Sequence, residues 1–111
     1  TGDVAVALDW FLSLDPRPTA VVCCDDLRAL LLLQATAERG LVVPRDLSIA
    51  GYGDTAVRSG RSGSLTSVWV DPALIGRRAA ELLTGDPGAK PALSLVPPQL
   101  AARGTTAKPI S

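Results

Sequence analysis

The chain has 111 residues, 47% of them hydrophobic, and its eleven basic side chains balance eleven acidic ones. That length is one domain or part of one, and the apolar content excludes a disordered tail. With zero net charge the chain lacks the basic surplus that a domain gripping nucleic acid usually carries, no apolar run reaches the roughly 18 residues that span a membrane, and no basic-then-apolar leader opens the chain.

Residues 2–14 predict an amphipathic helix. Val4, Ala5, Leu8, Phe11 and Leu12 recur at helical spacing, with Asp3, Asp9 and Ser13 outside the stripe. Asp15-Pro16-Arg17-Pro18 stops it, because residues before proline avoid the helical region. Residues 19–24 are a continuous apolar run between breakers and predict a central strand. Its two neighbouring cysteines, Cys23 and Cys24, point to opposite strand faces, so a disulfide between them is not expected; both read as small buried hydrophobes. The chain has no histidine, which removes histidine-based catalysis and the usual metal sets.

A second helix follows, to about Arg39. Asp25 is its expected N-cap, and Asp25 and Asp26 both favour the positive helix end. Leu30 to Leu33 are four consecutive leucines, more apolar surface than one sheet contact covers. Gly40 ends the helix. Residues 47–50 are too few for a helix and suit a strand buried on both faces, followed by Gly51-Tyr52-Gly53-Asp54. Residues 55–64 have the composition of a loop, and Arg58 and Arg61 read as solvated. Residues 65–70 predict a strand. Asp71-Pro72 opens a helix that presents Leu74, Ile75, Ala79, Leu82 and Leu83 and ends near Gly85. Residues 86–91 are a turn-rich linker, residues 93–96 and 100–102 short strand candidates split by Pro97-Pro98, and the residues after Arg103 a frayed tail. Strands alternating with helices predict an α/β fold with a mainly parallel sheet and helices on both faces.

Two strands thus end in acids, one in Asp25-Asp26 and one in the loop 51–54. As parallel neighbours they would share one rim, where open α/β sheets place their ligands. Asp25 reads either as a helix cap alone or as a ligand contact as well; for Asp26 the cap is the better reading. Enzyme chemistry finds little support: paired carboxylates are present, but there is no Gly-x-Ser-x-Gly elbow, no P-loop lysine and no cysteine with a basic neighbour.

Several stretches, correctly ordered and spaced, resemble one family. Gly40-Leu41, Val43-Pro44, Asp46-Leu47-Ser48 and Gly51-Tyr52-Gly53-Asp54 are similar to the "G-L-x-V-P-x-D-x-S-x-x-G-Y-D-D" stretch of LacI/GalR-type bacterial transcriptional regulators. Pro18-Thr19-Ala20-Val21-Val22 with Asp25-Asp26-Leu27 and Ala29, Leu65-Thr66-Ser67-Val68, Gly76-Arg77-Arg78-Ala79-Ala80-Glu81-Leu82-Leu83, Leu95-Val96-Pro97-Pro98 and Leu100-Ala101-Ala102-Arg103 extend the likeness in both directions. The resemblance implies most of the C-terminal lobe of a type I periplasmic-binding-protein-like fold, incomplete and beginning after that lobe's first strand. Residues 1–70 would belong to this lobe, residues 71–91 would cross to the N-terminal lobe, and residues 92–111 would return.

It further implies a cytoplasmic, dimeric sensor without cofactor or metal, which binds a sugar or nucleobase-like effector between its lobes. Operator DNA would be reached only through a separate N-terminal helix-turn-helix. An importer's solute-binding protein shares the fold and is the alternative. By the resemblance, Asp25 stands at a ligand-contacting Asn, Gly53 at a ligand-binding Asp, and Asp54 follows; Leu30 is the expected dimer contact. Three departures stand out: Asp25 for Asn, Gly53 for the acid, and Arg61-Ser62-Gly63-Ser64 for an apolar, proline-containing segment. Loss of the acid at Gly53 implies either an effector unlike the usual sugar or a lost ligand.

Overall fold

The computed structural model describes residues 2–58, 60, 63–86, 88 and 93–110. Its elements in chain order are α1 (Gly2–Leu12), β1 (Ala20–Val22), α2 (Asp26–Glu38), β2 (Ser48–Ala50), α3 (Thr55–Arg58), β3 (Ser67–Trp69), α4 (Pro72–Thr84) and β4 (Gln99–Ala101). β1 and β2 are parallel, with Val21 opposite Ile49, and Thr66 continues the sheet by a parallel bridge to Ala50. β3 and β4 form a separate antiparallel pair, Val68 opposite Leu100. This is the expected α/β architecture with a parallel sheet.

The core is small and aliphatic: Leu8 from α1, Ala29, Leu32 and Ala35 from α2, and Leu47, Ile49 and Leu65 from the sheet region. Val4, Phe11 and Leu12, from the predicted stripe of α1, pack against it, as do Val21 and Cys23. α1 and α2 therefore cover the face carrying Val21 and Ile49. Helices were expected on both faces, but among the described residues the other face of β1 shows Ala20 and Val22 to solvent. The four leucines are largely absorbed within the chain: Leu32 is buried, and Leu30 and Leu33 pack against the core. The α1–α2 contact supplies the second surface, tied outside by Arg39 Nε donating to Asp9 Oδ1 at 2.8 Å.

Four expectations need correction. Residues 55–58 are a helical turn rather than open loop, continuing from Asp54, whose carbonyl accepts from Arg58 N. Arg58 is accordingly not a plain solvated arginine; Arg61 lies outside the described residues. Residues 93–96 form no strand, and Ser94 and Leu95 instead accept hydrogen bonds from Arg78 of α4. The stretch after Arg103 is not frayed. Thr105 is buried and lies against β2, taking Ile49 N–H on its carbonyl and donating its hydroxyl to Ile49 O at 2.6 Å. Cys24, finally, is exposed on the strand face opposite the half-buried Cys23, whose thiol burial pushes up to about 11.

α4 begins as its sequence predicts. Asp71 caps it by accepting from Ala73 N and Leu74 N, with Pro72 in the first turn. None of its residues is buried, so it stands off the lobe, and the molecule extends 58 Å along its longest axis.

Candidate functional site

Because β1 and β2 run parallel, their carboxyl ends lie on one rim, and the loops leaving them touch. Cys23 N donates to Ala50 O at 2.8 Å, and Asp26 N donates to Tyr52 O at 3.1 Å. Asp25 and the loop 51–54 are thus neighbours, as the sequence predicts. An arrangement with the two at opposite ends of the sheet is excluded.

Asp25 is the N-cap of α2. One carboxylate oxygen accepts Arg28 N–H at 2.8 Å and the other pairs with the Arg28 guanidinium. The Arg28 backbone N–H, and then its charge, hold this carboxyl below the usual range. The side chain remains partly exposed, so it caps the helix and still faces the rim.

Asp26, by contrast, is buried, and accepts the Ser67 hydroxyl at 2.6 Å. Ser67 Oγ in turn accepts Asp54 N–H at 3.0 Å. One serine on β3 therefore clasps the start of α2 to the loop after β2. Gly51 is required at this junction: a Cβ there would collide with the Asp26 carboxylate and lie 3.2 Å from its Cα.

Asp54 departs from its expected place. Its side chain is fully buried, and both oxygens are taken by Arg103, at 2.6 and 2.9 Å, with Arg58 Nε at 3.3 Å from the second. Arg103 hydrogen bonding and charge outweigh the opposing effect of burial and hold the Asp54 carboxyl below its ordinary value. Arg103 also donates to Leu65 O at 2.7 Å. A carboxylate so occupied has little capacity for a ligand; its geometry is that of a rivet between the loop, α3 and the segment after β4. Sequence reasoning missed Arg103 and Ser67. The Leu100-Ala101-Ala102-Arg103 match flagged that stretch, but nothing local said that its arginine would reach a residue 49 positions away.

Gly53 has φ +109°, a backbone region that side chains rarely adopt, and a Cβ there would meet only Thr55 Cγ2 at 4.0 Å. The absent acid therefore leaves both an open space and a loop conformation suited to glycine. The loop is pinned by Gly53 N donating to Val68 O at 2.7 Å, which brings β3 alongside. Next on β3, on the same face as Ser67, stands Trp69. The Arg58 guanidinium lies over its ring, 3.2 Å from the centroid, with half of the arginine side chain still exposed. Leu30, the expected dimer contact, is half-buried against the core on α2. Among the described residues, no three His, Cys, Asp or Glu side chains are gathered to hold a metal.

Comparison with known proteins places this arrangement. The periplasmic binding protein-like domain matches residues 2–106. The chain is 42% identical over 76 residues to the HTH-type transcriptional repressor PurR of Pasteurella multocida, covering 68% of this chain and 23% of that protein. It is 40% identical over 78 residues to the ribose operon repressor of Haemophilus influenzae, covering 70% and 24%. Among solved structures, a LacI family regulator from Bifidobacterium animalis superposes with a TM-score of 0.80 at 29% identity, over 96% of this chain and 40% of that one. The lactose repressor bound to the anti-inducer ONPF gives 0.76 at 30% identity, over 96% and 39%. The chain thus spans about a quarter of the length of these curated relatives and two-fifths of the solved ones. It belongs to the periplasmic binding protein-like domain family, in the form carried by LacI/GalR-type transcriptional regulators.

Proposed function

We propose that this chain is part of the effector-sensing lobe of a bacterial transcriptional regulator, binding a small molecule at the rim formed by Asp25 and the loop 51–54. The observation that carries the reading is the parallel pairing of β1 with β2, which sets both strand ends on one crevice. Asp25 supplies a charged acceptor and Gly53 the space. Asp54 acts through Arg103 to hold the loop in shape rather than by touching the effector. Residues 1–70 form the lobe, and residues 71–91, with the exposed α4, cross to a second lobe whose closure relays effector binding to operator DNA. The DNA-reading part lies outside this chain, which carries no basic surplus. Such a regulator works in the cytoplasm as a homodimer, with Leu30 near the subunit contact, and is not an enzyme. The repressor relatives favour this reading over an importer's solute-binding protein.

The test uses the intact polypeptide. Sugars and nucleobases are screened calorimetrically against wild type and Asp25→Ala. Replacing Asp25 is expected to weaken the effector about tenfold, the worth of one charge-assisted hydrogen bond. Equal affinity in both proteins would remove Asp25 from the site. Sedimentation of wild type and Leu30→Asp tests the dimer: a clean monomer at high concentration refutes it.

A further inference from the structure

The rim has exchanged its charge. Of the three acids at or near it, Asp26 and Asp54 are buried and bonded, and Gly53 stands where the resemblance implies a fourth. Asp25 alone faces outward, and Arg28 is paired to it. An exposed charge held against Asp54, the residue after Gly53, is instead the Arg58 guanidinium. It is fixed from two sides. Its Nε meets Asp54 at 3.3 Å, and its central carbon lies over the Trp69 ring. Asp54 is already satisfied twice by Arg103, so it neutralises Arg58 only in part. Asp26 acts on Arg103 and is itself buried against Ser67.

An arginine held by Nε and by one ring face keeps its two terminal nitrogens as a preset fork. That fork matches the two oxygens of a carboxylate or phosphate, and little side-chain entropy remains to be lost on binding. On the same loop, Gly53 leaves open space, with Thr55 Cγ2 the nearest atom to where a Cβ would stand. A sugar hydroxyl can accept a hydrogen bond from this fork, but an oxyanion takes both prongs and the charge as well, so the fork favours the anion.

We infer that Arg58, held between Asp54 and the Trp69 ring, is a specificity-determining residue that selects an anionic effector, one bearing a phosphate or carboxylate, over a neutral sugar. This deepens the proposed function and rests on the same rim.

The test again uses the intact polypeptide, in wild-type, Arg58→Gln, Arg58→Lys and Asp25→Ala forms, with circular dichroism and melting temperature confirming that each folds. Inorganic phosphate, acetate, ribose and ribose 5-phosphate are titrated, reading tryptophan emission and calorimetric heat. Expected are saturable quenching by phosphate or acetate, tighter binding of ribose 5-phosphate than of ribose, and a loss of about tenfold to hundredfold in anion affinity in Arg58→Gln. Arg58→Lys keeps the charge but not the fork, and should recover only part of it. Phosphate acting without acetate identifies a phosphate-bearing effector, and the converse a carboxylate.

The inference is overturned if no anion saturates the wild type, or if anion affinity is unchanged in Arg58→Gln. Ribose bound tightly, weakened by Asp25→Ala and indifferent to Arg58→Gln, would overturn it while leaving the proposed rim intact. Anion binding lost in Arg58→Gln but unchanged in Asp25→Ala would sustain it while removing Asp25 from the site.

Discussion

α2 and α4 are both thirteen residues long and both are capped by an aspartate, yet they end in opposite circumstances. α2 buries Asp26, Ala29, Leu32, Ala35 and Thr36; α4 buries nothing, although its apolar residues are the more cleanly sorted to one side. Local sequence makes a helix and gives it a face, but burial needs a partner, and only α2 finds one among the described residues. For α4, Ile75, Leu82 and Leu83 remain open to solvent, with Leu83 86% exposed. A helix patterned for burial and left unburied is the mark of a segment whose complement lies elsewhere, which supports a crossing to a second lobe.

The contrast can be probed by substitutions of falling effect. The largest is expected at the rivet. Arg103→Leu leaves the Asp54 carboxylate buried with only Arg58 at its side, and should cost about 3–5 kcal/mol in urea denaturation. The same pair sets an acid limit. Asp54 has its folded pKa depressed below 3.8, so its stabilisation is present above the unfolded value and lost as pH falls through the folded one. Wild type should therefore lose stability below about pH 4 more steeply than Arg103→Leu does.

Next, Leu32→Ala removes a buried side chain from the α1–α2 contact and should cost about 2–4 kcal/mol. Gly51→Ala comes third, at about 1–3 kcal/mol, because the added methyl meets Asp26 and the backbone of α2. Leu83→Ala should be smallest, within about 0.5 kcal/mol in the 111-residue chain, since the side chain touches little. If Leu83→Ala matched Leu32→Ala there, α4 would be docked in solution, and the contrast between the helices would fail.

The sequence and the structure agree where the signal is local or periodic. The stripe of α1, the Asp25 and Asp71 caps and the shared rim of β1 and β2 were all readable, because helical spacing, capping chemistry and strand–helix alternation act within a few residues. They part where partners are distant. By sequence Asp54 faces a ligand because it follows a glycine at a strand end, and only the fold brings Arg103 to it. Arg58 looked solvated because its neighbours are serine and glycine, while its partner Trp69 comes after the loop. Residues 104–107 looked frayed because glycine, threonine and alanine carry no strand pattern. Their order comes from hydrogen bonds to Ser48 and Ile49, more than 50 residues upstream.

That last contact bears on how the molecule keeps to itself. β2 is hydrogen-bonded on one side by β1, and on the other by Thr105 along its first half and Thr66 along its second. Proteolysis that removed Thr105 and Ala107 would strip the outer half of that cover and bare a row of strand N–H and C=O groups flanking the fully buried Ile49. An uncovered edge of that kind recruits strands from other molecules. A nick between Arg103 and Thr105 should therefore show first as concentration-dependent, β-rich aggregation, before any change at the Asp25 rim at the far end of the same strand.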